Sequence, residues 1–596
     1  MSTSIESIRH STAHLMAAAV LELFPNTTLG VGPVIEHGFF YDFNPPKPFN
    51  AQDLLRIEKR MREIIKRNEP FRREEMKLDD AISFFRERKQ EFKVQLLTDL
   101  KTKGTTAVHA DESQDVDVKK PEVASIYWTG KFVDLCRGPH VATANELGVF
   151  KLTKISGAYW RGDQNNKQLQ RVYGLAFNAQ AELDAHLKML EEAEKRDHRK
   201  LGAELNLFIT SELVGPGMPL YTPEGASILF RIKEFSRELR AGIGYREVQT
   251  PQMNKAELFK LSGHYDQYRE DMFRVVSNYT QEEYFLKPMN CPQHTQLYAA
   301  GLRSYRELPI KYQDFAMLYR DEKPGQLAGL TRLRSFSQDD GHCFCTEEQI
   351  EKEFALLLGA IKTAMKVYGM EYFIRLSLRD EKKKASYLGS DEVWEKAQAL
   401  LESLLKKLKV TYVRAEGEAA FYGPKMDLIA KDSIGREWQL STIQLDLNMP
   451  KRFGLEYVAE DGTRKTPVMI HAALVGSPER FMGVLIEHYA GAFPTWLAPL
   501  QAAIVPVGKE FDKVSQKLAG MLREAGIRVD VYDSKERVGH NIRRAITQKV
   551  PYMLVVGDKE KSLKKLTVRV RGQQTEKQMT VKQFIDRVTK EIETKR

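Results

Sequence analysis

The sequence predicts an α+β multidomain protein: an N-terminal α+β domain, a large mixed central body and a small C-terminal α/β domain. Three observations predict it. At 596 residues the chain exceeds what one hydrophobic core organises, and its 42% apolar and 29% charged residues, of both signs, suit several folded domains rather than a disordered chain. Apolar residues recur at helical spacing in some segments and alternate at strand spacing, with Gly and Pro punctuation, in others. A highly charged, breaker-poor run from Ala181 to Gly202 reads as a connecting helix, and after Pro499 strand and helix patterns alternate. The expected boundaries are residues 1–180, a linker at 181–202, a body at 203–498 and a last domain at 499–596.

A Thr-x-x-Glu capping pattern at Thr3 opens a helix with Ile8, Leu15, Ala18, Ala19 and Leu23 on its apolar stripe, which sets His10 and His14 on one face. Ala51 to Arg67 reads as a second helix and Val123 to Phe177 as strands. In the body, Ile228 to Ala241 and Glu347 to Tyr368 read as helices among β-type runs. In the last domain AAIVPV, RVDVY and YMLVVG read as strands, with helices at Phe511 to Ala525 and around Asn541 to Val550, giving a partly parallel sheet.

A formal charge of +10 and a pI near 9.0 favour polyanionic partners without selecting one. No basic leader precedes an apolar core and no run of about 18 apolar residues occurs, so a cytoplasmic chain without a membrane partner is expected. Four cysteines, Cys136, Cys291, Cys343 and Cys345, are too few for a disulfide scaffold.

Three segments stand out, two of them with anion-binding chemistry. GYREVQTPQM is a β-type run stopped by Pro251 and able to border a subunit interface. YRDEKPGQLAGLTRLRSFSQDD joins two β-type runs, with Arg320, Arg332 and Arg334 able to fork onto phosphate and Glu322 able to accept a base amino group. The same residue types also make ordinary surface salt bridges. VGSPERFMGVLIEHYAG places Gly476, Ser477 and Pro478 before a helix opening with Glu479 and Arg480, and a helix N-terminus with an arginine suits an anion. No phosphate loop of the Gly-x-x-x-x-Gly-Lys type appears, and Gly30-Val31-Gly32-Pro33 lacks the rest of a dinucleotide fingerprint.

Together and in this order these segments resemble motifs 1, 2 and 3 of the class II aminoacyl-tRNA synthetases. The resemblance implies an antiparallel sheet core flanked by helices, and motif 1 implies a homodimer. Cys291 in KPMNCPQH, His342 in QDDGH and His471 in IHAA look like the zinc ligands of the threonyl-tRNA synthetase family, in which threonine completes the zinc shell through its amino and hydroxyl groups. AFYGPKMDL and EWQLSTIQLD look like further walls of that site. The resemblance puts Gln338, Asp340, Tyr422 and Lys425 around threonine and its adenylate, and Arg320 on the ATP α-phosphate with Mg²⁺. It puts Glu322 and Phe336 on adenine, Arg332 and Arg480 on the phosphate tail, Ser477 among the ATP-binding residues, and Gln439, Thr442 and Gln444 in the adenylate pocket. Ser441 stands where many relatives carry glycine. His264 resembles a histidine near the terminal ribose of tRNA(Thr), with a proposed part in deprotonating the attacking hydroxyl.

Serine keeps the groups that zinc reads and lacks one methyl, a difference worth only about 1–3 kcal/mol, so a second, hydrolytic site is expected. His10-x-x-x-His14 and DLCRGPH, with Asp134, Cys136 and His140, resemble the editing domain of this family. Two readings stand there: a histidine-activated water assisted by Asp134 and Cys136, which the resemblance favours, and a tetrahedral zinc site. The family's small leading TGS-like domain is expected to be absent, because HSTAH begins within about ten residues of Met1. The last domain resembles an anticodon-binding domain, with Arg543, Glu560 and Arg569 as candidate base readers and Lys535 a departure from an asparagine of some relatives. Two readings compete with this one. A class II enzyme for proline or serine is opposed by the Cys291, His342 and His471 set, and a synthetase-like RNA-binding protein should have lost these ligands and arginines.

Overall fold

A computed structural model describes residues 4–104, 122–163 and 165–596. They divide into two compact units, Met1–Glu191 and Glu192–Arg596. Among the described residues, no helix is long and apolar enough to cross a membrane.

In the first unit the opening helix is Ile5–Leu23. Its cap is Ser4, whose Oγ accepts the Ser7 N–H at 3.2 Å; Thr3, read as the cap, lies outside the described residues. Buried Ala13, Ala17 and Ala19 let this helix lie against the strands Gly38–Asn44 and Gln168–Phe177 of a five-stranded sheet. The helix Ala51–Arg67, boxed at its start by Asn50 and Asp53, packs beside it. A three-stranded sheet joins Phe71–Lys77, Val123–Thr129 and Phe132–Leu135, so Cys136 and His140 follow directly from a strand end.

The expected linker helix is two helices, Gln180–Arg196 and His198–Glu204. Asp197 divides them because its carboxylate accepts the Arg199 N–H at 2.8 Å and caps a new helix.

In the second unit, an eight-stranded sheet runs in the order Arg246–Glu247, Ile310–Asp314, Asp340–Cys345, Val468–Ala473, Glu437–Asp446, Lys425–Lys431, Glu371–Leu378 and Tyr412–Glu416. Its first and last pairs are parallel and the others antiparallel. The motif 1 run is thus only a two-residue edge strand. The register lines up Tyr312, His342, His471, Gln444 and Lys425 as direct cross-strand neighbours, so one row carries two of the expected metal ligands. Helices Pro223–Gly242, Ile350–Tyr368, Asp391–Lys407 and Pro478–His488 contribute Ile228, Phe354, Leu401 and Phe481 to the core shared with this sheet. The motif 2 runs form a hairpin, Met317–Tyr319 against Ser335–Ser337.

The C-terminal sheet has the order Val529–Val531, Ala502–Pro506, Tyr552–Val556, Leu566–Val570 and Lys577–Met579, its first three strands parallel and the rest antiparallel. Its middle helix runs Val538–Thr547, earlier than the sequence pattern suggested.

Arg240 and Asp339, both 0% exposed, join the sheet to the helix Pro223–Gly242. Arg240 Nε donates to Asp339 Oδ1 at 2.8 Å, while Asp339 Oδ2 also accepts from Ser236 Oγ and from the Leu474 and Val475 N–H groups, each at 2.9 Å. Gly341 permits the approach, since a Cβ there would stand 2.0 Å from Arg240 Nη1. Asp339→Ala strands a buried cation and is expected to cost about 3–5 kcal/mol; denaturant unfolding of the full chain checks this, and a loss under about 1 kcal/mol would show the pair to be dispensable.

Candidate active sites

A cavity of about 570 Å³ opens over the face of the eight-stranded sheet. At one end Cys291, His342 and His471 are all buried, with their ligand atoms within 4.8 Å of one another. His342 Nε2 lies 3.0 Å from His471 Nδ1. Two bonds of about 2.0–2.1 Å to a tetrahedral ion would set nitrogens about 3.3 Å apart, so the donor pair fits zinc. The surrounding network supports the fit. His471 Nε2 faces Asp446 Oδ2 at 2.9 Å, which places the proton there and leaves Nδ1 as a donor lone pair. His342 Nδ1 faces His294 Nδ1 at 2.7 Å, leaving His342 Nε2 free in the same way. Burial, followed by the neighbouring His471 and His294, holds His342 unprotonated, and burial pushes the Cys291 thiol up.

Asp340, Gln338 and Tyr422 line the cavity beside these ligands. Tyr422 stacks on His471 at 4.8 Å between centroids and donates to Gln444 Oε1 at 2.6 Å. Gln439, Thr442 and Gln444 line one wall. Strict alternation would send Gln439 to the opposite face from the other two. A register shift opposite Leu428 and Ile429 skips Leu440 and turns Gln439 back to their side. Buried Asp427, which the sequence reading missed, ties this wall together by accepting from Lys425 Nζ at 2.8 Å, Gln439 Nε2 at 2.8 Å and Thr442 Oγ1 at 2.9 Å. Lys425 is held by Asp427 and does not line the cavity. Ser441 is fully buried and its hydroxyl donates to the Leu474 carbonyl at 2.5 Å, so the side chain absent from many relatives is satisfied within the sheet.

The other end of the cavity is cationic. Arg320 has its guanidinium 5.1 Å from the Phe336 ring centroid, and Arg480 has a buried Nε without a partner. Neither faces a carboxylate within ion-pair distance among the described residues, and burial lowers the pKa of both. Desolvated guanidinium groups with spare donors are built for an anionic ligand. Arg332 is paired with Glu322 at 2.8 Å. Ser477 caps the helix Pro478–His488 by accepting the Arg480 N–H at 3.3 Å. Glu479 is buried and binds the Ser337 N–H at 2.9 Å and Ser337 Oγ at 2.6 Å, locking this helix to the motif 2 hairpin.

His264 departs from expectation. It is 0% exposed, does not line the cavity, and turns Nε2 toward Met289 S at 3.2 Å and Cys291 Sγ at 3.5 Å, with Nδ1 against Ser262 Oγ at 2.8 Å. Met289, which touches its Nε2, lines the cavity while His264 itself does not. Burial lowers its pKa to about 3.

In the first unit His10, His14, Cys136 and His140 form a second cluster with donor atoms within 4.8 Å. Cys136 Sγ is 3.2 Å from both His10 Nε2 and His140 Nε2, and His140 Nδ1 is 3.0 Å from Ser11 Oγ. Asp134 is buried, with Oδ1 2.6 Å from Lys93 Nζ, Oδ2 accepting from Tyr41 OH, and His14 Nε2 at 3.8 Å. Lys93 and Tyr41 escaped the sequence reading because they come from other elements and no spacing links them to the histidines, and Ser11, beside His10 on the same helix, gives no sign in the sequence that it meets His140. Burial lowers the pKa of His10, His14 and His140, the last two also through their histidine neighbours.

In the C-terminal domain Arg543 is exposed and Arg569 pairs with Glu576 at 2.6 Å. Glu560 is 7% exposed and accepts from the Gly557 N–H at 3.1 Å and Thr567 Oγ1 at 2.6 Å. Lys535 is exposed.

Three family models match the chain: the class II core domain of G, H, P, S and T tRNA synthetases at residues 273–489, an anticodon binding domain at 501–591, and the second additional domain of threonyl and alanyl tRNA synthetases at 124–173. The chain is 46% identical over 592 residues to a threonine–tRNA ligase of Rubrobacter xylanophilus and 44% identical over 593 residues to one of Polynucleobacter asymbioticus, covering 99% of this chain and 89% of each relative. Its fold matches a structure described as the RNA binding domain of threonyl-tRNA synthetase from Cryptosporidium parvum, with TM-score 0.63, 36% identity, and 66% of this chain and 98% of that one covered.

Burial raises the Cys136 thiol to about 12, the Gly138 N–H offsetting only part of the rise. Its alkylation rate should therefore climb about tenfold per pH unit from pH 7 to 9 without a plateau. A plateau in labelling, read by mass spectrometry of the Cys136 peptide, would mean a thiolate stabilised by a nearby cation.

Proposed function

The chain belongs to the threonyl-tRNA synthetase family, and from that premise we infer its function: ATP-dependent activation of threonine, transfer to tRNA(Thr), and hydrolysis of mischarged seryl-tRNA(Thr). One observation carries the first activity. A Cys/His/His donor set and two guanidinium groups without carboxylate partners share one cavity, as a reaction between an amino acid and a triphosphate requires.

Cys291, His342 and His471 would hold zinc, which when bound supplies Lewis acidity and an open coordination position for the amino and hydroxyl groups of threonine. Asp446 and His294 orient the two imidazoles from behind. Gln338, Asp340 and Tyr422 surround the amino acid, and Lys425, through Asp427, stiffens the wall formed by Gln439, Thr442 and Gln444. Arg320 and Arg480 take the negative charge that grows on the α-phosphate as the threonine carboxylate attacks, while Mg²⁺ arrives with ATP as substrate. Phe336 offers adenine a flat face, Glu322 accepts its amino group, and Arg332 and Ser477 meet the phosphates.

The second cluster carries the editing reading. With Asp134 already neutralised by Lys93 and bonded to Tyr41, the unprotonated imidazoles of His10, His14 and His140 are the available proton acceptors for a water attacking the seryl ester. The donor set also suits zinc, so metal content separates the two readings. In the C-terminal domain Arg543 and Arg569 are the proposed anticodon readers, while Glu560 reaches a base only by giving up two hydrogen bonds. Homodimerisation is proposed from motif 1, whose Arg246–Glu247 strand forms a sheet edge.

Purified protein should carry one zinc per chain by elemental analysis, and Cys291→Ala should lose both the ion and threonine-dependent ATP–pyrophosphate exchange. Asp446→Asn should weaken zinc about 10–100-fold. Exchange with another amino acid in preference to threonine would sink the substrate assignment, and two zincs, one surviving in Cys291→Ala, would favour a metal editing site. The His10→Ala/His14→Ala chain should charge threonine normally yet accumulate Ser-tRNA(Thr); undiminished serine release would end the histidine-water reading.

A further inference from the structure

We propose that His198 is a positioning residue for nucleotide binding: anchored by Glu487, its ring latches the loop of the motif 2 hairpin at Leu330 over the cavity. The inference rests on reading that cavity as the ATP site.

His198 opens the short helix His198–Glu204 and is 5% exposed. Its Nε2 accepts the Leu330 N–H at 2.9 Å. A nitrogen that accepts from a backbone N–H carries no proton, so the ring proton sits on Nδ1, 2.6 Å from Glu487 Oε1. The same carboxylate oxygen accepts the His198 backbone N–H at 3.0 Å, so Glu487 fixes both the position and the tautomer of the ring. Glu487 is buried near the end of the motif 3 helix Pro478–His488, and Arg436 faces its other oxygen at 2.5 Å.

Two glycines let the parts meet. Gly329 has φ +51°, and a Cβ there would lie 2.1 Å from His198 Nε2. A Cβ on Gly483, in the motif 3 helix, would lie 3.2 Å from Leu330 Cβ. The loop is thus seated between the connecting segment and the motif 3 helix. Thr331, Arg332 and Leu333, which line the cavity, follow Leu330 directly.

Asp197, His198 and Glu487 also have the residue types of a cation site, but their donors are taken. His198 Nε2 holds Leu330, Nδ1 holds Glu487, and both Asp197 oxygens hold Arg199. A latch accounts for both ring bonds of His198.

Freeing Leu330 would leave the loop to be ordered by the nucleotide itself, and binding would bear that entropy. At the amino-acid end of the cavity His342 and His471 sit on sheet strands and Cys291 opens the helix Cys291–Ala299, all outside the loop. The two ring nitrogens have distinct surrogates: the amide of Gln reaches the Nε2 position and that of Asn only the Nδ1 position.

Full-length His198→Ala, His198→Asn and His198→Gln are compared with the parent chain in threonine-dependent ATP–pyrophosphate exchange, with KM for ATP and for threonine and the thermal midpoint recorded. Ala and Asn should raise KM for ATP about three- to tenfold with KM for threonine unchanged, and Gln should restore KM for ATP to within about twofold. The latch is overturned if Gln is as impaired as Asn, if both KM values rise together, or if none changes. Should Ala not fold, the Gln and Asn pair decides. A parent chain inactive with threonine would instead refute the ATP and threonine reading, whereas an active parent with indifferent variants refutes the latch alone.

Discussion

A guanidinium and a carboxylate buried out of water's reach organise the second unit. Neither Arg240 nor Asp339 can be left unpaired at that depth, so every backbone group bonded to them is constrained as well. Asp339 stands immediately before the strand that carries His342, and it holds the Leu474 and Val475 N–H groups just after the strand that carries His471. The chain then turns through Gly476 to Ser477 and Arg480. One desolvated pair thereby ties the row that carries His342 and His471 to the helix end that carries Ser477 and Arg480. Such a pair adds little net stability, because desolvation consumes most of its Coulomb energy, but it restricts which arrangements are tolerable.

The two clusters of histidine and cysteine show how similar donors are given different surroundings. At Cys291, His342 and His471, a buried carboxylate and a third histidine stand behind the imidazoles and hold their donor nitrogens inward. At His10, His14, Cys136 and His140, the nearby carboxylate of Asp134 is engaged by Lys93 and Tyr41, and a serine hydroxyl rather than a carboxylate meets His140. The first arrangement strengthens imidazoles as ligands. The second leaves them as neutral groups.

The cationic character of the cavity follows from what is missing around two side chains. Most arginines in this chain are tied to carboxylates or carbonyls, whereas Arg320 rests on an aromatic face and Arg480 keeps a buried Nε unpaired. The adjacent Arg332 and Arg334 are anchored to Glu322, so the hairpin presents fixed and available cations side by side.

The sequence by itself determined the element types, the order of the domains and the identities of the chemical groups. Helix periodicity at Ala51–Arg67, the alternation after Pro499 and the capping serine before Arg480 are local signals, set by spacing along one chain segment. The resemblance of short motifs then named most residues that line the cavity. Tertiary structure alone decided relations between distant segments: the register that sets His342 against His471, the skipped residue that turns Gln439 to the face of Thr442, and the burial of His264 against Met289. Asp427, Asp446, Lys93 and His198 belong to the same class. Their roles arise from hydrogen bonds to side chains or backbone on other elements, and no periodicity along the chain encodes which of many buried polar groups will meet across a core.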